Sequence, residues 1–321
     1  MIFIPIFYES DTSCSVKKCR IDYSEVHLAL TMNTLMKHCA FLSMDSLEDF
    51  FYYDQMLFEP LKAAGWLVEE VSWRKTDVDW NVYDVVVIRT AWDYQDDVED
   101  FMACLQRIEA SSAKLQNSLK IVEWNISKSY LKDLQNQGIN IVPTLWFDYF
   151  SLAELQLGFI HFNTSEIVLK PLVSANADHT YRLTSENLKE QADQLKDVFG
   201  HREFMLQPFL TSIVDEGEYS LFYFAGHYSH SILKQPGAGD FRVQEEHGGQ
   251  LKSIQPCEEM LTTARHCLAA LPADVLYARV DLVRYEDEFA VIEIELIEPS
   301  LYFNMDAESP QRFVDAFIEM C

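Results

Sequence analysis

The run "YDVVVI" at residues 83–88 constrains the fold more than any other feature of the chain. Its four consecutive apolar β-branched residues show no polar alternation, which is typical of a strand covered on both faces, as in a parallel sheet between helices. A helical apolar period follows at 96–110. A covered strand joined to an amphipathic helix indicates an open, mainly parallel α/β sheet.

The residues before this run repeat the same rhythm. "HCAFLSMD" (38–45) predicts a strand, residues 56–64 predict a helix closed by Gly65, and "WLVEEVSW" (66–73) predicts a second strand. We expect an N-terminal α/β domain that extends to about residue 120. The start of the chain, "MIFIPIFYESD", fits a short strand better than a signal peptide because it lacks a basic segment.

The rest of the chain predicts an α+β body. Residues 124–147 read as a helix ended by Gly138 and then a strand, and "GEYSLFYFAGHYSHSILKQP" reads as two antiparallel strands that turn at Ala225–Gly226. Further elements are predicted in four other segments: strands at 165–172 and 203–210, and helices at 185–197 and 258–270. The expected divisions are an unassigned extension (1–36), an α/β domain (37–120), and two α+β parts (121–210 and 211–321).

The charge of the chain excludes some classes of partner. A formal net charge of -26 disfavours non-specific binding to nucleic acid or to an anionic membrane surface, although one basic cleft for a small anion remains compatible with it. No apolar run is long enough to span a bilayer. The seven cysteines are scattered without a CxxC pair, which favours reduced thiols and a cytoplasmic location over disulfides or a zinc site.

An apolar segment that carries carboxylates is the strongest functional signal. In "ARVDLVRYEDEFAVIEIELIEPS" (278–300), Glu293 and Glu295 share one face of a predicted strand, and Asp281 lies on the preceding strand across a hairpin at "YEDEF". Clustered carboxylates repel unless a cation or proton intervenes, so Mg²⁺ with substrate phosphates is one hypothesis. A half-exposed hairpin with a solvated acidic face is the alternative, and the spacing alone favours that alternative.

Three other features each have a functional and an ordinary interpretation. Lys128 and Lys170 could hold phosphate, or their chains could simply extend to solvent. The segment 171–183 follows a strand with small residues that could approach phosphate oxygens, or it is a surface turn. In the long loop 234–249, Arg242 is a candidate anion clamp, or the loop is merely solvated. The motifs GxSxG, GxxxxGK[ST], HExxH and GxGxxG are absent.

Read in order, these pieces resemble the ATP-grasp superfamily of carboxylate–amine ligases, which includes glutathione synthetase and D-alanine–D-alanine ligase. The resemblance covers residues from about 38 to the end. It is carried by Lys128, by Lys170–Pro171 with its small-residue loop, by the strand at 207–210, and by the late acids from Asp281 onward. The stretches "RTAWDY", "KSYLKDL" and "GDFRVQEEHGG" are similar to the branch that contains the cycloserine-forming ligase.

The resemblance implies a fold and a set of roles. The implied fold has an open α/β domain followed by two α+β subdomains that clasp ATP. Residues implied to contact ATP are Lys128, Lys170, Ser174, Thr180, Gln207, Leu210 and Glu218. Residues implied to hold Mg²⁺ are Asp281, Glu295 and Glu298, and Arg242 is implied to stabilise an acyl phosphate. The chain has Glu295-Leu-Ile-Glu298-Pro299 where the family often has Glu-x-Asn, which leaves open which of Glu293, Glu295 and Glu298 ligate metal.

The implied reaction is ligation of a small carboxylate to an amine through an acyl phosphate, with release of ADP and phosphate. The implied cofactors are ATP and Mg²⁺, and the implied partners are amino-acid-like substrates, with neither nucleic acid nor membrane; a homodimer is frequent among relatives. One alternative is a nucleotide-binding protein that has lost catalysis and acts in regulation or interaction. A weaker alternative is an acidic metal-binding protein without enzymatic activity.

Overall fold

The structure is a computed structural model that describes residues 36–48, 50–245 and 248–321. The strand expected at the start of the chain lies outside the described residues, as does most of the unassigned extension. The five cysteines in the described part are free thiols. None of the helices described there has the length and apolar character that crossing a membrane requires.

A parallel four-stranded sheet forms the N-terminal part, as the sequence predicts. Its strands are β1 (Lys37–Ser43), β2 (Trp66–Ser72), β3 (Val85–Thr90) and β4 (Lys114–Gln116), in the order β2-β1-β3-β4. All six residues of β3 are buried because β3 lies between β1 and β4 and is covered on both faces. Helices α1 (Phe58–Ala63) and α2 (Val98–Glu109) connect the strands.

The strand order creates a topological switch point at the carboxyl ends of β1 and β3. β1 has β2 on one side and β3 on the other, so the loops that follow β1 and β3 diverge at the carboxyl ends of the strands. Crevices at such switch points are where open α/β sheets bind ligands. The loop after β1 carries Phe51, and the loop after β3 carries Trp92 and Tyr94.

An antiparallel sheet follows two short helices. After α3 (Leu119–Asn125) and α4 (Tyr130–Asn136) come strands β5 (Leu145–Phe147), β6 (Glu166–Pro171), β7 (Tyr181–Thr184) and β8 (Phe204–Pro208), in the order β5-β8-β6-β7. Helices α5 (Leu152–His161) and α6 (Ala192–Phe199) accompany this sheet. The apolar side chains of both helices and of the strands form one buried cluster.

The helix predicted at 185–197 is wrong in its first half. Helix α6 begins only at Ala192. The Thr184 N–H donates to Asn187 Oδ1 at 2.8 Å, and the Asn187 N–H donates to Thr184 Oγ1 at 3.1 Å. Short polar side chains that bond neighbouring backbone groups compete with helix formation, and here they stabilise turns instead.

A second antiparallel sheet contains the carboxylate-bearing hairpin. Its strands are β9 (Glu218–Phe224), β10 (His227–Gln235), β11 (Gln250–Ser253), β12 (Tyr277–Tyr285) and β13 (Glu288–Glu295), in the order β11-β10-β9-β12-β13. Helices α7 (Thr211–Asp215), α8 (Glu258–Ala269) and α9 (Ser309–Met320) complete the chain. The turn at Ala225–Gly226 is confirmed, and both of its residues have positive φ, as a type I′ hairpin requires.

The outer side of the edge strand β13 is bonded by the backbone of residues 140–142 at Val291 and, near the end of the strand, by side chains. Asn125 donates to the Ile294 carbonyl at 2.9 Å and accepts from the Leu296 N–H at 3.0 Å. The Ile294 N–H donates to the Tyr130 hydroxyl at 2.8 Å. Unpaired backbone groups at a buried edge would be costly, so these side chains take the place of a further strand and hold β13 in position.

Candidate functional site

A single pocket brings together every residue that the sequence argument selected. It opens between the two antiparallel sheets and the loops that follow β1 and β3. The sequence-selected residues that line it are Lys128, Lys170, Ser174, Thr180, Gln207, Leu210, Glu218, Arg242, Asp281, Glu295 and Glu298. Glu293 lines it as well. The geometry therefore places these residues at one site, and their individual roles remain predictions.

The β12–β13 hairpin brings Asp281 and Glu295 to the same basic side chain. In the register of the hairpin, Asp281 is opposite Glu293 and Arg279 is opposite Glu295. The Arg279 guanidinium donates to Asp281 Oδ2 at 2.9 Å and also to Glu295 Oε1. Arg279 is therefore a counter-ion that both acids share, and one guanidinium does not offset the charge of two carboxylates.

Lys234 is a second buried cation in this cluster. Its Nζ lies 2.5 Å from Glu218 and 3.6 Å from Asp281. The Ser220 hydroxyl also donates to Asp281, at 2.5 Å. Burial alone would raise the pKa of Asp281, but Arg279 and Lys234 outweigh it and hold this pKa below its usual value. Three adjacent strands thus build one largely buried charge network on the wall of the pocket.

Sequence reasoning missed Arg279 and Lys234. Arg279 precedes Asp281 by two residues and so shares its face of β12, which the alternation of a strand would have indicated. Lys234 faces Glu218 across β9 and β10. Only the pairing of these two strands reveals that contact, because sequence distance does not.

The two lysines selected from the sequence have different surroundings. Lys128 Nζ contacts Glu293 Oε1 at 2.6 Å and donates to the Ser174 carbonyl at 3.1 Å. Burial would lower the pKa of Lys128, but Glu293 raises it above its usual value. Lys170 has no ion-pair or hydrogen-bond partner in the described part of the chain, and burial lowers its pKa. An ammonium without a counter-ion at a buried strand end favours binding of an anion.

Among the acidic side chains that line the pocket, Glu298 is the one whose negative charge is least offset by neighbouring basic groups. Its side chain is nearly inaccessible, and within the part of the chain that the structure describes its carboxyl group has no partner. Burial, aided by the charge of Glu295, raises the pKa of Glu298 well above its usual value. Burial also raises the pKa of Glu295, to about 7, against the opposing effect of Arg279. These two carboxyl groups have oxygen atoms available for a ligand.

The loop after β6 adopts backbone conformations that usually require glycine. Asn176, Ala177 and His179 have φ of 52°, 55° and 49°. Left-handed backbone in non-glycine residues is unfavourable and tends to occur at ligand sites. These conformations are compatible with the predicted phosphate-binding role of the loop, although its sequence lacks glycine.

Arg242 lines the pocket but is paired with its own loop. Its Nη2 donates to Asp240 Oδ2 at 2.8 Å, and its Nε donates to Asp240 Oδ1 at 3.1 Å. The hydrogen bond from Arg242 holds the pKa of Asp240 well below its usual value. The neighbouring Phe241 packs edge-on against Phe209, with ring centroids 6.1 Å apart. An anion that engages Arg242 must therefore compete with Asp240.

Comparisons with known proteins agree with this architecture. A family model described as "D-cycloserine synthetase DcsG, N-terminal domain" matches residues 39–117. The cycloserine biosynthesis protein DcsG of Streptomyces lavendulae is 29% identical over 282 residues, which are 82% of this chain and 92% of that protein. The crystal structure of D-cycloserine synthetase DcsG superposes with a TM-score of 0.79 at 28% identity, covering 88% of this chain and 99% of that chain.

Two further structures share the fold at lower identity. The ATP-grasp ligase PsnB, complexed with a minimal precursor, has a TM-score of 0.62 at 17% identity and covers 89% of this chain and 100% of that chain. D-alanine–D-alanine ligase from Bacillus anthracis has a TM-score of 0.61 at 13% identity and covers 88% of this chain and 96% of that chain.

The chain has the fold of the ATP-grasp ligases, which confirms the fold expected from the sequence, and its likeness to D-cycloserine synthetase supports the expected ligase class. Among such ligases, the chain is similar to D-cycloserine synthetase over most of its length.

Proposed function

We propose that this ATP-dependent ligase activates an amino-acid-like carboxylate as an acyl phosphate, which an amine or another nucleophile then attacks. The observation that carries the proposal is the charge of the pocket. Five basic and five acidic side chains line it, although the chain as a whole has a net charge of -26. A pocket that is locally balanced, with Lys170 left unpaired, can accept a polyphosphate that the rest of the surface repels.

The nucleotide phosphates would bind between β6 and the hairpin. Lys170 supplies the unpaired charge, and Lys128 supplies a second charge beside Ser174 and the left-handed loop at 176–179. Backbone N–H groups in such a loop and lysine ammonium groups are both common phosphate ligands. Thr180 would close this end of the pocket.

The base of the nucleotide would lie at the apolar end of the pocket. Gln207 and Pro208 end β8, and Phe209 and Leu210 follow directly. Val142 and Ile292 add apolar surface there. An apolar slot that also presents backbone polar groups suits a purine, since the ring faces need contact and the ring edge needs hydrogen bonds. Glu218, held by Lys234, would lie near the ribose.

The acidic residues fit Mg²⁺ as part of a nucleotide complex. No group of three metal-ligating side chains stands ready among the described residues. Mg²⁺ usually takes one or two carboxylates together with substrate phosphates and water, so a complete protein cage is not required. Glu298 has free carboxylate oxygens, and Glu295 keeps one oxygen that Arg279 does not occupy, whereas Asp281 is engaged by Arg279 and Ser220. Bound there, the ion would neutralise charge on the phosphates.

The side chains of the pocket would contribute charge and position to the reaction. A substrate carboxylate oxygen forms a bond to the γ-phosphorus as the bond to ADP breaks. The nucleophile then bonds to the acyl carbon, loses a proton, and inorganic phosphate leaves. Arg279 and Lys170 would balance the negative charge, and Arg242 would add to them once it leaves Asp240. The part of the predicted loop that follows β10, residues 236–245, would exclude water during transfer.

The acid and its nucleophile would bind at the switch-point loops of the first sheet. Phe51, Trp92 and Tyr94 reach the pocket from these loops, and Ser300 faces them. The similar protein is named for D-cycloserine, a cyclic amino-acid derivative. We therefore include ring closure within a single amino-acid-derived substrate among the reactions proposed. In this scheme residues 37–120 hold the substrate, and 121–210 with 211–321 clasp ATP.

Trapping the intermediate tests this proposal. Purified protein with Mg-ATP and pools of amino acids is expected to release ADP only with an accepted acid, and added hydroxylamine is expected to yield the hydroxamate of that acid. ADP formation without hydroxamate would contradict an acyl phosphate. Nucleotide binding without turnover for any acid tested would contradict the ligase reaction itself.

A lysine substitution tests the location of the site. Lys170→Met is expected to weaken Mg-ATP binding by at least about tenfold in calorimetry, because one charge-assisted contact is worth roughly 1.5–3 kcal/mol. Lys189→Met is the matched control, since Lys189 is exposed and lies outside the pocket. Equal affinities for the two variants would place the phosphates elsewhere.

A further inference from the structure

An irregular segment after β13 is held by side chains from several elements. Residues 296–302 form neither helix nor strand, yet most of them are buried. Five consecutive carbonyls in this segment, from Ile297 to Leu301, each contact a side-chain donor. The donors, in order, are Tyr277, Trp92, Arg89, Arg279 and His230. Such an arrangement fixes a backbone that has no secondary structure of its own.

Two of these donors come from β3 and from the loop that follows it, and they bond the backbone carbonyls of Glu298 and Pro299. Trp92 Nε1 donates to the Glu298 carbonyl at 2.8 Å. Arg89 Nη2 donates to the Pro299 carbonyl at 3.2 Å. Arg89 is the penultimate residue of β3 and is separated from Pro299 by 210 positions in sequence. β3 and the loop after it therefore help to hold the backbone at Glu298 and Pro299.

Arg89 is itself fixed by a buried ion pair. Its Nε and Nη2 contact the two oxygens of Asp54 at 2.8 Å and 3.0 Å, and both side chains are almost fully buried. The guanidinium also lies over the ring of Tyr277, 5.0 Å from its centroid. Neither Arg89 nor Asp54 lines the pocket.

A buried ion pair is an energetically unfavourable way to fill a protein core. Transferring two charges out of water often costs more than their attraction returns, and apolar residues of similar size can be as stable. In addition, Arg89 Nη1 is buried and has no partner in the described part of the chain. A pair with this cost is best explained by the geometry that it imposes on the Pro299 carbonyl, which an apolar residue cannot bond.

We propose that Arg89, oriented by Asp54, is a positioning residue that acts through Glu298, with Trp92 as its companion on the preceding carbonyl. The inference rests on the proposed function, in which Glu298 is a ligand of the Mg-ATP complex. Without these two bonds the carbonyls of Glu298 and Pro299 lose their donors, and the Glu298 carboxylate is held less precisely at the place where it would meet the phosphates. Outer groups that orient ligands typically affect metal affinity or activity by 10–100-fold.

Amide hydrogen exchange of the nucleotide-free protein tests the structural half of this proposal. The double variant Arg89→Met/Asp54→Val removes the pair without leaving a lone buried charge. We expect exchange in peptides that cover 296–303 to become about tenfold faster, while peptides of α9 keep their rates. Unchanged exchange in 296–303 would overturn the proposal, and this readout does not depend on catalysis or on ATP.

A double-mutant cycle tests the functional half. The pair variant is expected to lower kcat and to raise the Mg²⁺ concentration for half-maximal rate. At subsaturating Mg²⁺ the two effects together should lower the turnover rate by about 10–100-fold. In a background of Glu298→Gln the same replacement is expected to have almost no further effect, because the group through which it acts is gone. Full additivity of the two losses would show that Arg89 does not act through Glu298.

Two further variants separate positioning from loss of stability. Ile108→Ala truncates a fully buried residue of α2, a helix that donates to none of the five carbonyls at 297–301. It is expected to lower the unfolding midpoint without changing the Mg²⁺ dependence. Arg89→Lys keeps the charge opposite Asp54 but cannot bond two partners in a fork, so its kcat is expected to lie between those of the wild type and the pair variant. Equal Mg²⁺ dependence in the Ile108→Ala and pair variants would overturn the proposal.

If the wild type neither binds nor hydrolyses ATP, the proposed function fails, whereas the exchange measurement still decides whether Arg89 holds the segment.

Discussion

Replacing His230 by glutamine is expected to reduce the loss of unfolding free energy that occurs as the pH falls below neutral. His230 lies on β10 and is 5% exposed. Its ring stacks on Phe222 with centroids 4.3 Å apart and an interplanar angle of 10°. One ring nitrogen contacts the Ser229 hydroxyl at 2.9 Å, and the other contacts the Leu301 carbonyl at 3.1 Å. Protonation would place a charge in this buried stack.

The direction of the effect follows from the pKa. Burial lowers the pKa of His230 from 6.5 to about 4, against a smaller opposing effect of the Leu301 carbonyl, while Asp306 and Arg312 act in opposite directions. In the unfolded chain the imidazole takes up a proton below about pH 6.5, but in the folded protein it resists protonation until about pH 4. The unfolded state therefore binds more protons in this window, and stability falls as the pH falls through it.

The size of the effect follows from the same shift. One pKa unit corresponds to about 1.4 kcal/mol, so lowering the pH from roughly 7.5 to roughly 4.5 should remove about 2–3 kcal/mol of unfolding free energy through this residue alone. The glutamine variant cannot titrate, although its amide can still donate to the Leu301 carbonyl. Loss of the ring stack lowers its free energy of unfolding at every pH. The variant should show no further loss at this position as the pH falls, because glutamine does not take up a proton.

Urea unfolding followed by far-ultraviolet circular dichroism, at several pH values in this window, measures the effect. The informative quantity is the difference between wild type and variant, because the many carboxylates of the chain contribute equally to both. His227→Gln is the matched control, since His227 begins the same strand but is exposed. Parallel stability curves for wild type and His230→Gln would refute the assignment of a neutral, buried imidazole.

Two other substitutions test the framework of the site. Asn125→Ala should lower the free energy of unfolding by about 2–4 kcal/mol and speed amide hydrogen exchange in β13, because it leaves two buried backbone groups without partners. The control Asn136→Ala, at an exposed position, should change little. A loss below about 1 kcal/mol for Asn125→Ala would contradict the role of this side chain at the sheet edge. Gly217→Ala should cost at least about 2 kcal/mol, because a Cβ there would lie 2.6 Å from the Lys234 carbonyl at a φ of 119°, and an unchanged thermal midpoint would contradict that crowding.

Periodicity in the sequence determined most of the elements. The β-branched run of β3, the helical spacing of α2, the type I′ turn at Ala225–Gly226 and the β12–β13 hairpin all follow from local preferences that the surroundings do not override. The helix expected at 185–197 shows where local reasoning failed. The side chains of Thr184 and Asn187 bond backbone groups there in place of helical hydrogen bonds, and apolar spacing does not reveal such bonds.

The sequence also determined which residues meet, through the order of its weak motifs, but it did not determine their partners. Carboxylates in an apolar strand imply a cation, and the chain alone could not tell whether that cation is a metal or a side chain. Strand register placed the Arg279 side chain between Asp281 and Glu295, and the pairing of β9 with β10 brought Lys234 to Glu218. The bond from Arg89 to the Pro299 carbonyl spans 210 positions. Contacts of this kind depend on how sheets meet in space, since electrostatic and hydrogen-bond energies act over a few ångströms and take no account of distance along the chain.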